Sequence, residues 1–277
     1  MCGITGYINI NSRSVRDTNV ILNMLRVQKH RGPDDSGIRA FSLTSGESVE
    51  LNVQEPEAIS GTFEGVLGFN RLSILDLSLN GHQPMASPDG KVLLTLNGEI
   101  YNAFEFKKEL QEWGFRFKST SDTEIVLALY LRYGLEGMLE RLNGMFAIVI
   151  VDLGKGEFII TRDRFGIKPM YYIFTAGSFA FSSELKSFRF VENFNFNLDP
   201  DQVDEYLLFR NNLNGTLLKG VQSLNPGHYL SYTPDRSLVK KRFFDINSYS
   251  RTTTDSGGID KYSKILEKWL SNSVISQ

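Results

Sequence analysis

The run FAIVIVDLGKGEFIITRD (146–163) decides the fold class. Apolar and β-branched residues fill both halves, and the Gly-Lys-Gly at 154–156 separates them. Two β-rich runs around a glycine turn signal a hairpin. Strands that are apolar on both faces are covered on both faces. MYYIFTAGSFAFSSE (170–184) repeats the pattern and turns at TAGS. Together the two runs predict an antiparallel sheet buried on both sides with helices outside, a layered α+β protein.

Working outward, CGITGYINI (2–10) reads as a short strand and DTNVILNMLRVQK (17–29) as a helix behind an Asp/Thr cap. HRGPDDSG (30–37) is turn-rich, and residues 42–65 read as a surface hairpin or insertion. VLGFNRLSILDL (66–77) holds strand-like stretches, and KVLLTLNGEIYN (91–102) reads as a buried strand running into a tight turn. FEFKKELQEWG (104–114) is a helix closed by Gly114 at C′. SDTE (121–124) fits a capping box, with Ser121 at N-cap and Glu124 at N3, ahead of two apolar helices. DPDQVDEYLLF (199–209) is a helix with Asp199 at N-cap and Pro200 at N1. NSYSRTTTDSGG (247–258) reads as a linker. The last helix carries apolar residues at 259, 262, 265, 266, 269, 270 and 274, a stripe expected to be covered by a further domain.

Composition narrows the function. The 277 residues are 41% hydrophobic, enough for a large core, and the net charge of −2 is spread without a basic stripe. Nucleic acid and a membrane are therefore not expected as partners. One cysteine and three histidines make a structural metal or a disulfide framework unexpected. The N-terminus lacks a signal-peptide pattern, and no apolar run reaches a membrane span, so a cytoplasmic protein is expected.

The chemistry gathers around the chain start. Cys2 is the sole cysteine. If Met1 is excised, its α-amine, which titrates near about 7.7–8.0, sits on the nucleophile's own α-carbon and can take the thiol proton. Without that position, a buried structural thiol would be the better reading. Asn97 and Gly98 could aim an amide N–H and a backbone N–H at one point, as an oxyanion hole requires, or form an ordinary Asn-Gly turn. Glu99 is a carboxylate among apolar neighbours and could bind an amine. Arg71 interrupts an apolar stretch; it either pairs with an acid such as Asp76 or clamps a substrate carboxylate. Asp122 sits where a helix dipole favours any acid. The set as a whole suits an amino-acid amide.

With these residues placed, the chain resembles the glutaminase half of class II (N-terminal nucleophile) glutamine amidotransferases, most of all glutamine-hydrolysing asparagine synthetases. MCGITGYI, HRGPDDSG, NRLSILD, GHQPM, LNGEIYN, SDTEIVLALY, GMFAIVIVD, TRDRFGIKPMYY and FSSELKS carry the resemblance, in family order, over most of residues 2–188. It implies a four-layer α/β/β/α sandwich with Cys2 as nucleophile and Asn97 and Gly98 at the oxyanion positions. It places L-glutamine against Arg71, Leu72, Ser73, Ile74, Leu75, Asn97, Gly98, Glu99 and Asp122. It implies a glutaminase domain over 2–208, a connecting segment and linker over 209–258, and the start of a synthetase domain from 259 to 277. No cofactor is expected in this chain. ATP and Mg²⁺ belong to the synthetase domain, the expected C-terminal partner, and a homodimer is left open. SGGID (256–260) imitates that domain's pyrophosphate loop, but no apolar strand precedes it and Lys261 stands where a serine is expected. The acceptor could be aspartate, or a sugar acid or natural-product precursor. A non-catalytic partner-binding domain of the same fold is the remaining alternative.

Overall fold

A computed structural model describes residues 1–10, 14–15, 17–54, 61–212, 215–234, 236–249 and 258–275. The deciding run forms β7 (Gly144–Asp152) and β8 (Glu157–Arg162), paired antiparallel from Ala147↔Arg162 to Asp152↔Glu157. The other strands are β1 (Gly3–Asn9), β2 (Asp35–Ser42), β3 (Glu47–Leu51), β4 (Gly65–Arg71), β5 (Met85–Ala86), β6 (Val92–Ile100), β9 (Tyr171–Thr175), β10 (Ser178–Ser182), β11 (Gln222–Ser223), β12 (His228–Thr233) and β13 (Arg236–Arg242). They form a seven-stranded sheet in the order β11-β9-β10-β1-β4-β2-β3 and a six-stranded sheet in the order β13-β12-β8-β7-β6-β5. β12 and β13, from the stretch read as a connecting segment, complete the second sheet.

The period of two sorts the apolar residues into layers. Ala147, Val149 and Val151 of β7 face the first sheet and meet Ile4, Phe69 and Phe181. Phe146, Ile148 and Ile150 face outward onto a helix, where they meet Ile125, Leu129 and Met138. That helix, α3 (Asp122–Arg141), is one of five α-helices among the described residues, with α1 (Asn19–Arg26), α2 (Lys107–Glu112), α4 (Pro200–Phe209) and α5 (Ile259–Ile275). On the far side, Ile21, Met24 and Leu25 of α1 cover Ile38, Val66 and Ala180. The layers are thus α/β/β/α, as expected. Each fully buried Ile or Phe in them is worth about 1.5–3 kcal/mol.

Two local readings change and one open alternative is resolved. The capping box does not close: Ser121 accepts from the Thr123 N–H at 3.2 Å, while Glu124 turns back to Lys118 and Ser119. The strand read over 91–102 does run into a turn, but at Tyr101-Asn102: β6 passes through Asn97-Gly98 to Ile100, paired with Gly144, which excludes the Asn-Gly turn alternative. Part of HRGPDDSG is strand, since β2 starts at Asp35. The two helices read after residue 121 are confirmed as one run broken at Gly134, whose φ is 69°. α5 buries no residue, and its apolar stripe is exposed apart from the half-buried Ile265. Most of the linker, and Ser256 and Gly257 of the SGGID run, lie outside the described residues. Among those described, no helix is long and apolar enough to cross a membrane.

Candidate active site

Antiparallel pairing brings the chain start to the site. β1 lies between β10 and β4, and Gly3 pairs with Asn70. Cys2 therefore sits beside the end of β4, where its sulfur accepts from the Leu72 N–H at 3.4 Å. Arg31 holds the Cys2 carbonyl with Nε at 2.9 Å and reaches Glu184 with Nη1 at 3.3 Å. Burial pushes the Cys2 thiol up; the Leu72 backbone, the chain N-terminus, Arg71 and Arg31 pull it back.

The end of β6, from the other sheet, forms the facing side. Along its free edge the Leu96 N–H donates to Gln83 Oε1 at 2.8 Å and the Ile100 N–H to Asp122 Oδ2 at 3.0 Å. Gly98 lies midway between them, so by strand period its N–H points off the same edge, away from β7. A Cβ on Gly98 would stand 2.1 Å from the Met145 carbonyl oxygen, so glycine is required by close approach rather than by a turn. The Asn97 side chain is buried, and its Nδ2 has no hydrogen-bond partner among the described residues. A buried orphan donor at a cavity is a group held ready for an acceptor.

Between these sides lies a cavity of about 280 Å³. It is lined by every site residue expected from sequence except Ser73. The Ser73 N–H is spent on Asp34 Oδ2 at 2.7 Å instead. Arg71 does meet Asp76, but through that residue's main-chain carbonyl rather than its carboxylate. Asp122 is raised above the ordinary carboxylate range, first by burial and further by the nearby Glu99 charge. Two carboxylates crowded this way favour a cation between them. Met1 also lines the cavity beside Cys2.

Sequence reasoning missed Lys168, Gln83 and Thr123, which also line the cavity. Gln83 is a strut: its Nε2 donates to Thr123 Oγ1 at 3.1 Å while its Oε1 caps β6. Lys168 is nearly buried and comes from a turn rather than from the strands or helix that carry the other groups. No periodicity or local pairing pointed to either residue; their runs, TRDRFGIKPMYY and GHQPM, were noticed only for their resemblance. Among the described residues no group of three or more His, Cys, Asp or Glu side chains is placed to hold a metal ion.

The sequence matches the family described as "Glutamine amidotransferase domain" over residues 57–244. It is 33% identical over 270 residues to "Amidase chyE" of Penicillium rubens, covering 92% of this chain and 36% of that one. It is 30% identical over 256 residues to "Asparagine synthetase [glutamine-hydrolyzing] 3" of Bacillus subtilis, covering 91% of this chain and 38% of that one. The chain thus spans well under half the length of these relatives. The fold is similar to that of a B. subtilis glutamine phosphoribosylpyrophosphate amidotransferase solved with ADP and GMP. The TM-score is 0.62 at 21% identity, over 88% of this chain and 49% of that one.

Proposed function

Since this chain belongs to the glutamine amidotransferase family, as a class II domain, we propose that it hydrolyses L-glutamine to glutamate and ammonia at Cys2. The observation that carries this reading is the convergence of Cys2, Arg71, Asn97, Gly98, Glu99 and Asp122 on one cavity. Arg71 takes the α-carboxylate, and Glu99 with Asp122 takes the α-ammonium. The substrate's far end, the amide, then lies at the thiol. Once Met1 is gone, the Cys2 amine accepts the thiol proton and sulfur attacks the amide carbon. The carbonyl oxygen becomes an oxyanion, held by Asn97 Nδ2 and the Gly98 N–H, donors fixed before the reaction starts. Collapse expels ammonia, which carries away the proton, and leaves a thioester. Water cleaves it to glutamate and returns the thiol.

Cys2→Ala should abolish glutamine hydrolysis, read as glutamate release. Normal turnover by that variant would sink the mechanism. A form that retains Met1 should also be inactive, because its amine is on the wrong residue.

For the ammonia, we propose transfer to aspartate in a C-terminal synthetase domain that uses ATP and Mg²⁺. The asparagine synthetases among the relatives support this. Fungal relatives named amidases match at 33% and 32% identity, which supports a second reading with a different acceptor. Asparagine formation by the full-length protein from aspartate, ATP and glutamine separates the two.

A further inference from the structure

Residues 72–83 wall one side of the cavity, and Asp76 is tied to both ends of the site. Arg71 donates Nη1 to the Ser78 carbonyl at 3.0 Å and Nη2 to the Asp76 carbonyl. Neither acceptor is a carboxylate, so these bonds aim the guanidinium without cancelling its charge. The wall runs close behind it: a Cβ on Gly81 would stand 2.0 Å from Arg71 Nη2. The Asp76 carboxylate works in two directions. Oδ1 accepts from the Ser78 N–H at 2.8 Å and from the Ser78 hydroxyl at 2.6 Å, closing the turn that presents both carbonyls. Oδ2 accepts from the Thr120 N–H at 2.8 Å, two residues before Asp122. One buried residue therefore links the guanidinium to the start of α3.

We propose that Asp76 is a positioning residue that fixes the distance between Arg71 and Asp122, and so sets the site's affinity for the α-carboxylate and α-ammonium of its substrate. This rests on the glutamine reading above. It assigns Asp76 no part in the chemistry at the amide. Its effect is exerted through two groups that bind the remote end of the substrate, so its loss belongs in KM rather than kcat.

The test uses the full chain with Met1 removed. Asp76→Ala should raise KM for glutamine about tenfold or more and leave kcat within about threefold. Asp76→Asn keeps one acceptor oxygen and should recover part of the loss. A second readout is the rate of covalent labelling at Cys2 by two probes. One is the diazoketone analogue of glutamine, which keeps the α-amino and α-carboxylate groups; the other is iodoacetamide, which has neither. Asp76→Ala should slow the first about tenfold and leave the second unchanged. Equal slowing of both probes means general disorder of the site and overturns the proposal, as does an unchanged KM. If the unaltered chain reacts with iodoacetamide but not with the diazoketone, the glutamine reading fails, and this one with it.

Discussion

The cavity has two sides built by different physics. β6 is held by a nine-residue ladder against β7, with Leu93, Leu94 and Leu96 buried in the layers above and below. The 72–83 wall has no ladder and leaves Ile74, Leu75, Leu77 and Leu79 exposed. Carboxylates hold it instead: Asp34 to Ser73, Asp76 to Thr120 and Asp35 to His82. Ladders and apolar burial contain no titrating group, so the oxyanion donors Asn97 and Gly98 rest on a frame that pH leaves alone; the Asp122 carboxylate meets β6 only at its end, at Ile100. A carboxylate-tethered wall is as stable as the ionisation of its tethers. The fixed side carries the oxyanion donors proposed for the reacting amide, with Glu99 at its end, and the tethered side carries the guanidinium proposed for the substrate's remote end.

The sharpest way to break this comparison is on the rigid side. Asn97→Ala should lower kcat for glutamine hydrolysis by about 10²–10³-fold, the usual loss for one oxyanion donor, with a much smaller change in KM. An equal loss in KM would mean that the donor serves ground-state binding, and the division between the two sides would fall. The next effect is a pH limb. Asp122 must be ionised to hold an ammonium, and its pKa is raised by burial and Glu99. KM should therefore climb about tenfold per pH unit below that raised value. The climb should begin at higher pH than for an ordinary carboxylate and vanish in Asp122→Asn, whose affinity is uniformly weak. A pH–KM profile checks this.

A smaller effect tests the ladder as scaffold. Ile148 is buried under α3, so Ile148→Val should cost about 1 kcal/mol in denaturant unfolding and leave KM and kcat unchanged. The smallest effect is expected at the wall's far anchor. Through their 2.7 Å contact His82 lowers the Asp35 pKa from 3.8, and Asp35 raises that of His82 from 6.5. The histidine's share is present below its ordinary value and is lost as pH rises through the raised one. The aspartate's share is present above 3.8 and is lost as pH falls through the lowered one. KM should drift upward about two- to threefold on the alkaline side, and His82→Ala should remove the drift. Asp76 is held down to about 2 by Ser78 and Thr120, so its tether should survive far into acid.

Much of the fold was legible because both hairpins are apolar on alternate and intervening positions, which only a strand buried on two faces requires. The site was legible where a residue type was improbable in its place: a cysteine at position 2, an arginine and a glutamate among apolar neighbours. Asn97-Gly98 stayed open between oxyanion donors and a turn because that dipeptide is the strongest short turn signal. β7 overrides it by extending far enough to pair with Ile100. The capping box misled because Glu124 found closer N–H donors in Lys118 and Ser119. Lys168 and Gln83 were marked only by lying in runs that carry the resemblance, since their place in the cavity depends on which segments the sheets bring together.

The sequence alone determined what alternation and improbable residues encode: the strands, the helices around them, and the chemical groups available for an amide. The tertiary structure decided what pairing encodes. Antiparallel β1 and β4 put Cys2 at Leu72. The strand period sent the Gly98 N–H off the open edge of β6 rather than into its ladder. The Asp76 carboxylate turned out to reach Thr120, far along the chain, and only its main-chain carbonyl meets the nearby Arg71 side chain. Local sequence states which groups exist, but hydrogen-bond partners far apart in the chain are set only when the sheets close.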